Sequence, residues 1–155
     1  MRLATLVVSI AALLLLAPAA EAVIQLDRAV SGARLGNSKA EVRTALGKPR
    51  RVIKRESEFG PTTEYRYGGG LRVLFLGNRV TLAGTTGLGD RTKRGVGVGS
   101  TEQRVKNRVQ GIACETFEGS VRICSRGAEE PGERGTFFFI EQGRVVRAEV
   151  AILID

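Results

Sequence analysis

The chain has 155 residues, 24 Lys and Arg against 16 Asp and Glu, a formal charge of +8, and no histidine. Without histidine a Ser-His-Asp or Cys-His site cannot be assembled, and a tetrahedral zinc site would need carboxylates to complete it. No catalytic residue, metal ligand or cofactor is therefore assigned, the acids that a paired-carboxylate hydrolase would need being clustered in a loop (Glu129, Glu130, Glu133) or set among arginines.

Residues 1–22 read as a signal peptide: Arg2 is a positive start, Leu3 to Leu16 an apolar run, Pro18 a break and Ala20-Glu21-Ala22 a small-x-small cleavage site. The apolar run falls short of the ~20 residues that cross a bilayer, so a retained anchor is the weaker alternative. The expected product is secreted or extracytoplasmic, in the cell envelope, with no transmembrane anchor after processing. No cysteine follows the run to take a lipid.

Residues 23–84 read as a first repeat. Val23 to Ser31 is a lead-in, and Gly32 to Asn37 leads to Ser38-x-x-Glu41, the pattern of a capping box, in which hydroxyl and carboxylate satisfy two first-turn amides. A short helix runs to Leu46, burying Val42, Ala45 and Leu46, and Gly47 with Pro49 stops it. Strands are expected at Val52 to Glu56, Thr63 to Tyr67, Leu71 to Leu76 and Arg79 to Ala83, with turn residues at Gly60-Pro61, Gly68 to Gly70 and Gly77-Asn78. Pairing Leu76 with Arg79 puts Leu71, Val73, Phe75, Val80 and Leu82 on the core face. Arg72, Leu74, Leu76, Arg79 and Thr81 then share the other face. Tyr65 and Tyr67 share a face and read as core.

Residues 85–95 form a Gly-rich basic linker, and residues 96–155 read as a second repeat at one constant offset from the first. Gly95 to Ser100 reads as a turn in preference to an anion cradle. The helix from Thr101 to Gln110 buries Val105 and Val109, and its cap is either Thr101 or, one residue earlier, Ser100 with Gln103. Strands follow at Ala113 to Phe117, Val121 to Ser125, Thr136 to Ile140 and Arg144 to Ile154, with a solvated loop from Arg126 to Gly135. A turn at Glu118-Gly119-Ser120 sets Cys114 opposite Cys124, close enough for a disulfide. Pairing Phe138 with Val146 puts Thr136, Phe138, Ile140, Val146, Ala148, Val150 and Ile152 inside, and Phe137, Phe139, Val145, Arg147 and Glu149 on the opposite face.

The expected fold is α+β: two tandem repeats, each a short helix packed on a four-stranded antiparallel sheet. Leu35-Gly36-Asn37-Ser38-Lys39-Ala40-Glu41-Val42 with Leu46 to Pro49, and Val98 to Thr101 with Val105, resemble the beta-lactamase inhibitor protein and the related SmpA/OmlA (BamE-like) envelope family. The resemblance covers nearly all of Ala33 to Ile154. It implies helices on one face of a curved sheet, the other face being the one with which the inhibitor protein clasps its enzyme. Three features depart from the pattern: no lipid-attachment cysteine, one disulfide where the inhibitor has one per repeat, and a basic chain. No inhibitor contact residue is carried over.

The resulting expectation is a non-catalytic protein-binding module whose open sheet face meets an extracellular or envelope protein through Arg72, Leu74, Leu76, Arg79, Phe137, Phe139 and Arg147. Such a mixture of aromatic, aliphatic and arginine side chains is the composition of interfaces. The alternative is an envelope structural protein held by its charge to an anionic wall or membrane polymer. Nucleic acid is not an expected partner of an exported chain.

Overall fold

The computed structural model describes residues 23–154; the expected signal peptide lies outside the described residues. Two helices form where hydroxyl caps were expected. Helix α1 (Lys39–Leu46) opens on Ser38, whose hydroxyl accepts from the Glu41 N–H at 3.2 Å while its own N–H donates to the Glu41 carboxylate at 2.7 Å. Helix α2 (Glu102–Arg108) opens on Thr101, which accepts from the Arg104 N–H at 3.2 Å. Ser100 is occupied elsewhere, its Oγ accepting from the Gly97 N–H at 3.1 Å, and this settles the cap on Thr101. Val42 and Val105 are the residues each helix buries completely.

Eight strands form one antiparallel sheet: β4 (Arg51–Ser57), β5 (Gly60–Arg66), β6 (Arg72–Leu76), β7 (Arg79–Thr85), β8 (Ala113–Thr116), β9 (Arg122–Gly127), β10 (Arg134–Glu141) and β11 (Arg144–Ile152), in the order β4-β5-β6-β7-β11-β10-β9-β8. A separate three-stranded sheet is made by β1 (Ile24–Gln25), β2 (Ala29–Val30) and β3 (Ala33–Arg34). This corrects the expected α+β class of two repeats, each with its own helix on its own four-stranded sheet. The protein is mostly β, because β7 pairs with β11 (Val150 with Ala83, Ala148 with Thr85) and makes a single continuous sheet, and because the lead-in builds a second one. Ile24, Ala29, Val30 and Ala33 are all buried, so the lead-in docks and supplies core.

Two bulges revise the strand faces. In β6–β7, Leu74 opposes Leu82 but Phe75 opposes Val80, leaving Thr81 without a partner. In β10–β11, Phe138 opposes Ala148 and Ile140 opposes Val145, leaving Val146 as the extra residue. One inserted residue reverses side-chain parity beyond it. Ala83 therefore faces the core where Leu82 was expected, and Val145 is buried while Val146 is half-exposed.

Both helices, the small sheet and Val96 and Val98 join one apolar core with Val73, Phe75, Val80, Phe138, Ala148 and Val150, all from one face of the large sheet. The approach to each helix is stitched to the start of a central strand: Gly36 N–H donates to the Val80 carbonyl at 2.8 Å, and Gly99 N–H to the Val145 carbonyl at 2.7 Å. Both glycines sit at positive φ (+86° and +87°), where a side chain is disfavoured. That backbone need explains the glycine ahead of each cap.

Candidate functional site: the uncovered sheet face

No element of the described residues covers the second face of the large sheet. Register runs one row of residues across it, Arg66, Arg72, Gly84, Glu149, Phe137 and Ser125 in turn. Leu74, Leu82 and Ala151 make the next row on one side, and Arg147, Phe139 and Ile123 the next on the other.

The centre of this face is a carboxylate held by two guanidinium groups. Glu149 is 4% exposed, accepts from Arg72 Nη2 at 2.5 Å and lies 2.9 Å from Arg147 Nε. Gly84 makes the arrangement possible, since a Cβ there would come within 2.8 Å of Glu149 Cγ. The Arg147 guanidinium lies 3.7 Å from the centroid of the Phe139 ring, a stacked cation–π contact. On β5, next to the β4 edge, a second buried carboxylate, Glu64, is paired with Arg66. The Nε atoms of Arg72 and Arg147 are buried without an aligned hydrogen-bond partner.

Of the seven expected contact residues, the structure puts Arg72, Leu74, Leu76, Phe137, Phe139 and Arg147 on this face, all partly exposed. Arg79 leaves the set: its Nη1 donates to the Gly36 carbonyl at 3.1 Å, so it braces the approach to α1. Leu82 joins by way of the bulge. Glu149 and Glu64 are the residues the contact set lacked; the signal was present in Glu149, which alternation had already placed on this face between Arg-bearing neighbours. Beside Phe139, a cleft of about 410 Å3 opens between Val146, Arg147, Val121 and Arg122.

The other expected sites take structural roles. Cys114 and Cys124 are joined, with S–S 2.00 Å and Cα–Cα 3.9 Å, pinning the outermost strand β8 to β9. Glu102 lies near both sulfurs, but these are disulfide sulfurs rather than thiolates, and the carboxylate is taken by Arg122 at 2.6 and 2.9 Å and Lys106 at 2.6 Å. Those hydrogen bonds, the Arg122 ones foremost, lower its pKa from 4.5 to about 2. In the Gly95 to Ser100 turn the amides of Val96, Gly97, Gly99 and Ser100 all donate within the protein. Tyr65 is core, 2% exposed and edge-to-face with Phe75 at 4.7 Å.

No protein-family model matches the chain, and no curated protein matches it. Solved structures do resemble it. An extracellular protein of Bacillus anthracis containing an SCP domain matches with a TM-score of 0.52 at 10% identity, over 76% of this chain and 44% of that one. A cysteine-rich secretory protein of Staphylococcus aureus matches at 0.49 and 10%, over the same shares of 76% and 44%. A DUF4309 family protein of Bacillus subtilis matches at 0.50 and 13%, over 80% of this chain and 84% of that one. The chain thus spans less than half the length of the first two proteins. At these identities the likeness is one of fold alone.

Proposed function

We propose that the protein is a secreted or envelope-located, non-catalytic binding module that receives a protein partner on the uncovered face of its eight-stranded sheet. One observation carries the reading: both helices and the small sheet pack on the opposite face, leaving Leu74, Leu82, Phe137 and Phe139 around an Arg72–Glu149–Arg147 cluster. Interfaces combine an apolar and aromatic centre with arginine in this way. The disulfide supports an oxidising compartment, and no described helix is long and apolar enough to cross a membrane. The motif resemblance to the beta-lactamase inhibitor protein and SmpA/OmlA family agrees with a binding role and names no target.

A photo-crosslinking residue in place of Phe139 tests the site against the same residue in place of Gln103, which is exposed on α2. One discrete partner protein should be captured from culture fluid or envelope extract at position 139 and not at 103. Equal capture at both positions, or none at 139, overturns the reading.

A further inference from the structure

The covered side of the sheet holds a second concave surface that the protein-binding face does not explain. A groove of about 640 Å3 lies between the eight-residue helix α1 and strands β4 and β5. Register sets Val52 opposite Tyr65 and Lys54 opposite Thr63, and these four residues line the sheet side of the groove. Lys39 and Arg43, one helical turn apart, form the opposite wall. A smaller recess shares Arg43 and Val52 and extends the groove to Lys48 and Pro49.

The lining is rich in donors and has no carboxylate. Lys39, Arg43, Lys48 and Lys54 enter no ion pair among the described residues, all six pairs being made elsewhere. Two of the cations are positioned by aromatic rings instead: Lys39 Nζ stands 5.8 Å from the Phe75 centroid and the Arg43 guanidinium 5.2 Å from that of Tyr65. Asn78 closes the end, its Oδ1 accepting from the Lys39 backbone N–H at 3.3 Å, which leaves its amide NH2 as a donor.

We infer that this groove binds a chain of linked phosphoryl groups. A phosphoryl group offers several acceptor oxygens in a compact tetrahedron, so donors from α1, β4 and β5 can meet on one group. Three of the four cations here are lysines, which bind phosphate as point charges, and the planar fork of Arg43 can bind phosphoryl oxygens bidentately. The continuation from the Lys39 and Lys54 end to Lys48 requires more than one anionic group. A linked chain meets that requirement without separate binding events.

Long-chain inorganic polyphosphate and poly(glycerol phosphate) are the probes, measured by titration over a range of salt. The triple variant Lys39→Gln, Arg43→Gln, Lys54→Gln should bind at least roughly tenfold more weakly, with its log affinity against log salt slope reduced by roughly 0.7 per charge removed. A control that removes the same charge around α2, Lys93→Gln, Arg104→Gln, Arg108→Gln, should change affinity by less than about threefold. A measurement that needs no variant accompanies it: bound polymer should shield Lys39 and Lys54 from amine acylation and leave Lys93 reactive. Binding of both polymers points to a wall-type phosphodiester, and binding of polyphosphate alone to a free polyphosphate chain; both support the groove. Equal losses in the two triple variants, absence of Lys39 and Lys54 shielding, or tighter binding of poly-glutamate of matched length overturns it.

Discussion

The two faces of the large sheet use the same kinds of side chain for opposite purposes. Phe75 and Phe138 on the covered face are fully buried beneath helices and the small sheet. Phe137 and Phe139, the immediate sequence neighbours of Phe138, lie on the uncovered face and remain partly open to solvent. Since alternate residues of a strand point to opposite faces, a run of three phenylalanines must serve both, and composition alone cannot say which is core. What separates them is register, set by the turns and the bulges.

The sharpest way to break this comparison is to truncate each pair. Phe75→Ala with Phe138→Ala removes two fully buried rings, at about 3–5 kcal/mol each, and should leave the protein unfolded or nearly so. Chemical denaturation reads this directly; a cooperative transition near that of the parent would show that these rings are not core. Phe137→Ala with Phe139→Ala should lower the melting temperature by only a few degrees, since part of each ring is already in water, and should abolish capture of the partner. If the outer pair destabilises as much as the inner pair, the uncovered face is a second core and not an interface.

The disulfide gives a smaller, intermediate effect. It closes a short loop, the cysteines being separated by 10 in sequence, and holds the outermost strand against β9. Reduction, or Cys114→Ser with Cys124→Ser, should cost roughly 2–3 kcal/mol by the loop-closure argument. The loss should appear as early exposure of β8 amides in hydrogen exchange while β6 and β7 stay protected. Simultaneous loss of protection along the whole sheet would show that β8 and the centre open as one unit.

These outcomes also mark what was legible in the sequence. The cap at Ser38 and the Cys114–Cys124 register depend on neighbours a few residues away, and local chemistry specifies them. The second cap is open between Ser100 and Thr101 in the sequence, and only the fold, in which the Ser100 hydroxyl takes the Gly97 N–H, decides it. The two bulges were not legible: Thr81 and Val146 are ordinary strand residues, and nothing in either marks it as the inserted one. For the same reason Leu82 and Ala83 exchanged faces, and so did Val145 and Val146. The β7–β11 pairing joins residues far apart in the chain, and it is this contact that turned two expected sheets into one. Strands of two residues, as in the N-terminal sheet, are too short to show any period. Most of the candidate site followed from strand parity, which the bulges left intact at Leu74, Phe137 and Phe139. Arg79 escaped because a long side chain near a strand end can turn toward a carbonyl off its own face.

The smallest effect concerns the link between the helix layer and the covered face. Glu102 on α2 binds Arg122 on β9 through two hydrogen bonds, and its pKa falls to about 2 from the ordinary 4.5. A carboxyl whose folded pKa lies below its unfolded one stabilises the fold above the unfolded value, and that stabilisation is lost as pH falls through the folded value. The contribution should therefore be constant above about pH 5 and fade between about 4.5 and 2. The pair sits near the surface and is screened, so its worth is at most about 1 kcal/mol, well below the apparent shift. Glu102→Gln should lower stability by that amount near neutrality and match the parent near pH 2, with the difference at pH 7 shrinking in high salt. A difference that persists unchanged at pH 2 would mean that Glu102 acts through packing at α2 and not through its charge.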